Sequence, residues 1–183
     1  MKRACVLLAD GFEETEAIAV IDVLRRADVK VDVLGVEAKK VTGGHDIVVE
    51  ADALLSDRRG EKYDLVVLPG GMPGAATLRD HCGVQKMVQA QASSGGLVGA
   101  IGAAPIALAK AGILDGKRAT CFPGFEAQLG AAIHDATAKV VRDGNIITSR
   151  GVGTALAFAL ALVEALRDKP TSSSVAERIL FAG

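Results

Sequence analysis

Apolar residues along this chain gather into short runs separated by amphipathic stretches. Residues 4–9, 63–68 and 97–101 are nearly continuous apolar segments, and 29–36 is a fourth that alternates with Lys30 and Asp32. Runs of this length fit parallel strands covered on both faces. Between them the period turns helical. Residues 14–27 carry the stripe Val20, Val23, Leu24, Ala27, and 84–92 read as a crossover helix ending at Ser93, Ser94 and Gly95. Farther on, 106–111 predict a short helix, 118–122, 139–142 and 146–149 predict strands, and Asp143-Gly144 marks a hairpin. Residues 154–167 form a helical pattern that is apolar nearly all round and therefore deeply packed, and 175–181 predict a terminal turn or short helix. Repeated β-α-β order predicts an α/β sandwich with a mostly parallel sheet, and no linker or repeat divides 1–183, which reads as a single domain.

Composition narrows the function. The 183 residues hold 21 Lys and Arg against 22 Asp and Glu, so no basic field gathers phosphates, and with one Tyr and no Trp there is no platform for stacking bases. Nucleic acid is excluded as a partner. No apolar run approaches the roughly 18 residues of a membrane span, so a soluble protein with no membrane partner is expected. Three cysteines at wide spacing, Cys5, Cys82 and Cys121, form neither a disulfide framework nor a zinc site. The opening MKRACVLLADGF lacks the cleavage pattern of a secretory signal, which points to the cytoplasm.

In open α/β sheets the chemistry sits beyond the carboxyl ends of the parallel strands. The loop after the first strand carries Asp10, Glu13, Glu14 and Glu16, and such a run is by default a solvated helix start. Glu16 differs, because it heads the stripe 16, 20, 23, 24, 27 that faces the core. A carboxyl there is desolvated, which raises its pKa and suits it to acid or base work. The second loop, PGGMPG, brings backbone N–H groups close to a bound group. In the third, GAIGAAPIALAKAG, a strand turns sharply into a helix near Pro105, the geometry of a nucleophile elbow, yet position 102 is glycine. Gly151, Val152 and Gly153 mimic a dinucleotide fingerprint, but the third glycine position is Leu156, and no nucleotide cofactor is expected. His45, His81 and His134 stand alone as surface or loop residues, so no metal site is expected.

The segments LLADGFEETEAIAVIDVLRRA, VVLPGGMPGA, AIGAAPIALAKAGIL and ITSRGVGTALAFALALVEAL resemble, in order and spacing, the DJ-1 branch of the ThiJ/PfpI superfamily. That resemblance covers essentially the whole chain. It implies a flavodoxin-like three-layer sandwich, a homodimer and a cofactor-free site in which an elbow Cys is paired with a protonated Glu. Carried over by motif, the Glu corresponds to Glu16, the oxyanion donors to the backbone N–H groups of Gly71 and Ala103, and the Cys to Gly102. A second departure is Phe122, where some relatives place a His before the Pro.

The activity implied is a glutathione-independent glyoxalase or deglycase chemistry on 2-oxoaldehydes such as methylglyoxal and glyoxal. With Gly102 in place of the thiol, the chain as given is expected to be inactive. Retention of Glu16 favours an engineered exchange over a natural pseudoenzyme. The competing class is a non-catalytic homodimer acting as an oxidative-stress sensor or chaperone, for which Cys121 is the best remaining thiol.

Overall fold

The computed structural model describes residues 1–182. Its main sheet has seven strands: β1 (Arg3–Leu8), β2 (Lys30–Gly35), β5 (Ala53–Leu54), β6 (Leu65–Leu68), β7 (Leu97–Ile101), β10 (Val140–Asp143) and β11 (Ile146–Ser149). They lie in the order β10-β11-β7-β6-β1-β2-β5, and every neighbouring pair is parallel except the β10–β11 hairpin. Two small ribbons accompany it, β3 (Lys40–Thr42) with β4 (Val48–Glu50), and β8 (Arg118–Ala119) with β9 (Ile133–His134).

Helices cover both faces, giving the flavodoxin-like layering. Within β1 and β6 the side chains alternate between two cores, because successive residues of a strand point to opposite faces. Ala4, Val6, Leu8, Leu65 and Val67 meet α1 (Glu14–Arg26), α5 (Ala155–Leu166) and α6 (Lys169–Arg178). Cys5, Leu7, Val66 and Leu68 meet α2 (Gly74–Asp80), α3 (Cys82–Ser93) and α4 (Pro105–Lys110). Leu7, Leu8, Leu24 and Leu65 are completely buried. Each such side chain contributes about 1.5–3 kcal/mol of burial free energy.

Several elements differ from the sequence reading. The strand expected over 118–122 stops at Ala119, since the Thr120 N–H turns to the Thr148 hydroxyl and the Phe122 N–H donates to the Gly102 carbonyl. The hairpin loop lies one residue later than expected, with Gly144 and Asn145 between the paired Asp143 and Ile146. α6 begins well before Val175, where the Asp168 carboxylate caps the Thr171 N–H at 2.7 Å and Pro170 occupies the first turn. α5 leaves Leu156 exposed despite its all-round apolar pattern. On α1, Ile21 is buried in the core, whereas Ile18 is exposed.

Candidate functional site

Loops after β1, β6 and β7 converge at the carboxyl edge of the sheet. Helix α1 starts against the β6 loop, with the Glu13 N–H donating to the Gly70 carbonyl at 2.8 Å. In return the Gly70 N–H donates to Glu16 Oε2 at 2.8 Å. This reciprocal pair fixes the first turn of α1 and aims the Glu16 carboxyl at the elbow after β7. A side chain at position 70 would bring its Cβ to 2.6 Å from Glu16 Oε2 and 2.9 Å from the Ala103 nitrogen, so only glycine permits this approach.

Gly102 follows β7 with φ of 65°, a left-handed conformation that strains other residues. Its N–H donates to the Ser149 carbonyl at 3.1 Å, which ties the elbow to the end of β11. A Cβ on Gly102 would lie 2.7 Å from Glu16 Oε1 and 2.8 Å from Oε2. The carboxyl therefore lies over the face of residue 102 from which a side chain would project. Burial pushes the Glu16 pKa up, helped by nearby Glu13 and opposed by the Gly70 N–H, to about 7. Among the described residues, neither the Gly71 nor the Ala103 N–H finds an acceptor, and both residues line the same cavity as Glu16 and Gly102.

That cavity has a volume of about 470 Å³. Phe122 forms part of its wall, half exposed, and Met72, Phe125 and Val152 make the rest largely apolar. Arg150, directly after β11, is also a lining residue. Sequence reasoning overlooked Arg150. The signal available was its position after a strand end, one residue before the glycine decoy.

Three readings of single residues need correction. Glu14 is buried rather than solvated: its Oε1 accepts from the His45 N–H at 2.6 Å, and its Oε2 pairs with His45 Nδ1 at 2.9 Å. Burial alone would raise its pKa, but the hydrogen bonds from His45 and Ile47 outweigh burial and take it to about 2. Asp10 likewise accepts from the Thr42 N–H at 2.8 Å, so the acidic run fastens the β3–β4 ribbon to the loop after β1. His45, then, is exposed but does not stand alone, and the hydrogen bond to Glu14 raises its pKa. Glu13, Glu14 and His45 bring donor atoms within 4.8 Å of one another, though both Glu14 oxygens are already engaged by His45. His81 also has a structural task, accepting from the Val84 N–H at the start of α3. Third, Cys121 is buried, and desolvation pushes its thiol up to about 11, whereas Cys82 is exposed.

The model of the DJ-1/PfpI family matches residues 2–165. Over 185 aligned residues the chain is 43% identical to Protein dj-1beta of Drosophila melanogaster, covering 99% of this chain and 98% of that protein. It is 32% identical over 183 residues to the glutathione-independent glyoxalase DJR-1.2 of Caenorhabditis elegans, covering 99% and 97% of the two chains. The crystal structure of Drosophila DJ-1beta superposes with a TM-score of 0.94 at 42% identity, covering 100% of this chain and 99% of that one. Oxidized Toxoplasma gondii DJ-1 superposes with a TM-score of 0.96 at 35% identity over 100% of both chains.

Proposed function

The chain belongs to the DJ-1/PfpI family, on its DJ-1 branch, and from that premise we propose that its site is built for cofactor-independent chemistry on small 2-oxoaldehydes such as methylglyoxal. One observation carries the reading: the buried Glu16 carboxyl lies against the backbone of Gly102 at a left-handed elbow. The unpaired Gly71 and Ala103 N–H groups beside it suit a developing oxyanion.

In this mechanism position 102 is the nucleophile position. A thiolate there attacks the aldehyde carbon, and the C–S bond forms as negative charge builds on oxygen facing the two amides. Glu16, titrating near neutrality, delivers and removes protons as the adduct rearranges to a 2-hydroxyacyl thioester, and water then releases the 2-hydroxy acid. Gly102 has no sulfur, so the chain as it stands lacks the first step. Deglycase action on aldehyde adducts of proteins draws on the same attack and is lost with it.

The working unit in this reading is a cytoplasmic homodimer of a single-domain chain, without metal or cofactor. A non-catalytic redox sensor fits less well, because the thiol best placed for it by sequence, Cys121, is buried and has a raised pKa. Lactate production from methylglyoxal, with no thiol added, tests the proposal. Background rates are expected from this chain and turnover from Gly102→Cys; lactate formed without position 102 as a thiol would remove Gly102 from the mechanism.

A further inference from the structure

Gly102 leaves the site with an acid, two amides and open space, but no nucleophile of its own. The carboxyl already lies over the free face of residue 102, where a tethered Cβ would come to 2.7 Å from Glu16 Oε1. An untethered sulfur has no such restriction and can settle farther into the cavity of about 470 Å³. Arg150 supplies the second observation. It is half-buried in the cavity wall, and among the described residues it forms neither a hydrogen bond nor an ion pair, with Glu126 the carboxylate that feels its charge. An arginine without a partner, in a lining that holds Phe122, Met72 and Val152 beside the carboxyls of Glu13 and Glu16, suits a carboxylate carried on a short apolar stem.

We propose that this chain takes its sulfur from solution: the site binds the adduct of a small carboxylate-bearing thiol with a 2-oxoaldehyde, seats the carboxylate on Arg150, and isomerises the adduct to a 2-hydroxyacyl thioester. The inference rests on the roles given above to Glu16 and position 102.

The chemistry balances without an oxidant or reductant. In solution the thiol adds to the aldehyde, forming a C–S bond while the S–H proton passes to the aldehyde oxygen. Within the site the Glu16 carboxylate removes the proton from the sulfur-bearing carbon. Its electron pair moves into the C–C bond, giving an enediolate whose charged oxygen faces the Gly71 and Ala103 amides. Protonated Glu16 then returns the proton to the neighbouring carbon, and the hydroxyl proton on the sulfur-bearing carbon passes to the neighbouring charged oxygen, so that a carbonyl forms next to sulfur and a hydroxyl beside it. One carbon is oxidised and its neighbour reduced, and the thioester leaves. Because Glu16 titrates near neutrality, it is available both as base and as acid.

The test follows thioester formation from methylglyoxal by mass spectrometry, with 3-mercaptopropionate or 2-mercaptoethanol as the thiol. With 3-mercaptopropionate the chain should exceed the protein-free rate by about 100-fold or more, and Glu16→Gln should lose that gain. Arg150→Met should raise KM for the 3-mercaptopropionate adduct about tenfold more than for the neutral adduct, with Arg150→Lys restoring part of the preference. No acceleration over thiol and aldehyde alone overturns the inference, as does an equal KM change for both thiols. Gly102→Cys, assayed without thiol, separates the two claims. Lactate from that variant, with no thioester from the unmodified chain, sinks the external thiol and spares the site assignment; silence in both sinks both.

Discussion

Glu16 carries a protonation equilibrium whose sign is testable. Its folded pKa, about 7, lies above the unfolded carboxyl value, so the folded state holds its proton over a range in which the unfolded chain has released it. Stability therefore falls as pH rises from about 4.3 toward the folded pKa and levels off above it. Glu16→Gln, which can still accept from the Gly70 N–H, is expected to raise the denaturation midpoint above neutrality and to lose that advantage in acid. A midpoint difference independent of pH would show an ordinary carboxyl. Glu14 has the opposite sign: its pKa of about 2 contributes stability that is present above the unfolded value and lost as pH falls toward 2. At Gly102, substitution by Cys places a side chain at φ of 65° and 2.7 Å from Glu16 Oε1. It is expected to cost about 1–3 kcal/mol in denaturant titrations, with relief when Glu16 is shortened to Asp. The sequence made Glu16 legible, because its place on the helix stripe implies burial. Glu14, two residues earlier and off that stripe, was not legible, since its burial depends on His45 and Ile47 arriving from a distant ribbon.

Among the elements, the hydrophobic pattern located the long helices and the central strands to within a few residues, since burial on two faces leaves a strong local signature. β7 and β11 fall where the apolar runs place them, and α1 ends one residue short. What escaped were the short helix α2 and the strands β3, β4, β5 and β9, the strands being pieces of two or three residues whose positions are set by docking rather than by their own composition. The first half of α6 escaped for another reason: its Lys-Pro-Thr-Ser-Ser-Ser start reads as a loop unless the Asp168 cap and Pro170 are weighed together. The β3–β4 ribbon offers a test of such docking. Removing the Glu14 carboxylate by Glu14→Ala releases the His45 and Ile47 N–H groups, and hydrogen exchange at these two amides is expected to accelerate while exchange in β1 and β6 holds steady. Uniform acceleration throughout the sheet would mean that Glu14 supports the whole fold rather than the ribbon.

For the whole molecule, the sheet order brings the ends of β1, β6, β7 and β11 to one edge, and residues far apart in sequence meet there around the cavity. That convergence explains why Glu16, Gly71, Gly102, Ala103 and Phe122 line one space, although spacing alone could not have placed Arg150 among them. Assembly is a separate question at this scale. Exposed Ile18 on α1 is the apolar residue left for a twofold contact once Ile21 is assigned to the core. Sedimentation at micromolar concentration is expected to give twice the chain mass of 18.8 kDa, and a single species at the chain mass would refute the dimer. In the proposed mechanism the carbon–sulfur bond forms at position 102 and Glu16 moves the protons. The most direct measurement of this is the rate of lactate formation from methylglyoxal, without added thiol, by the unmodified chain, Gly102→Cys and Gly102→Cys with Glu16→Gln. Background, turnover, and a loss of about 100-fold or more from that turnover are expected, in that order. Equal rates in all three, or turnover by the unmodified chain alone, would contradict the mechanism.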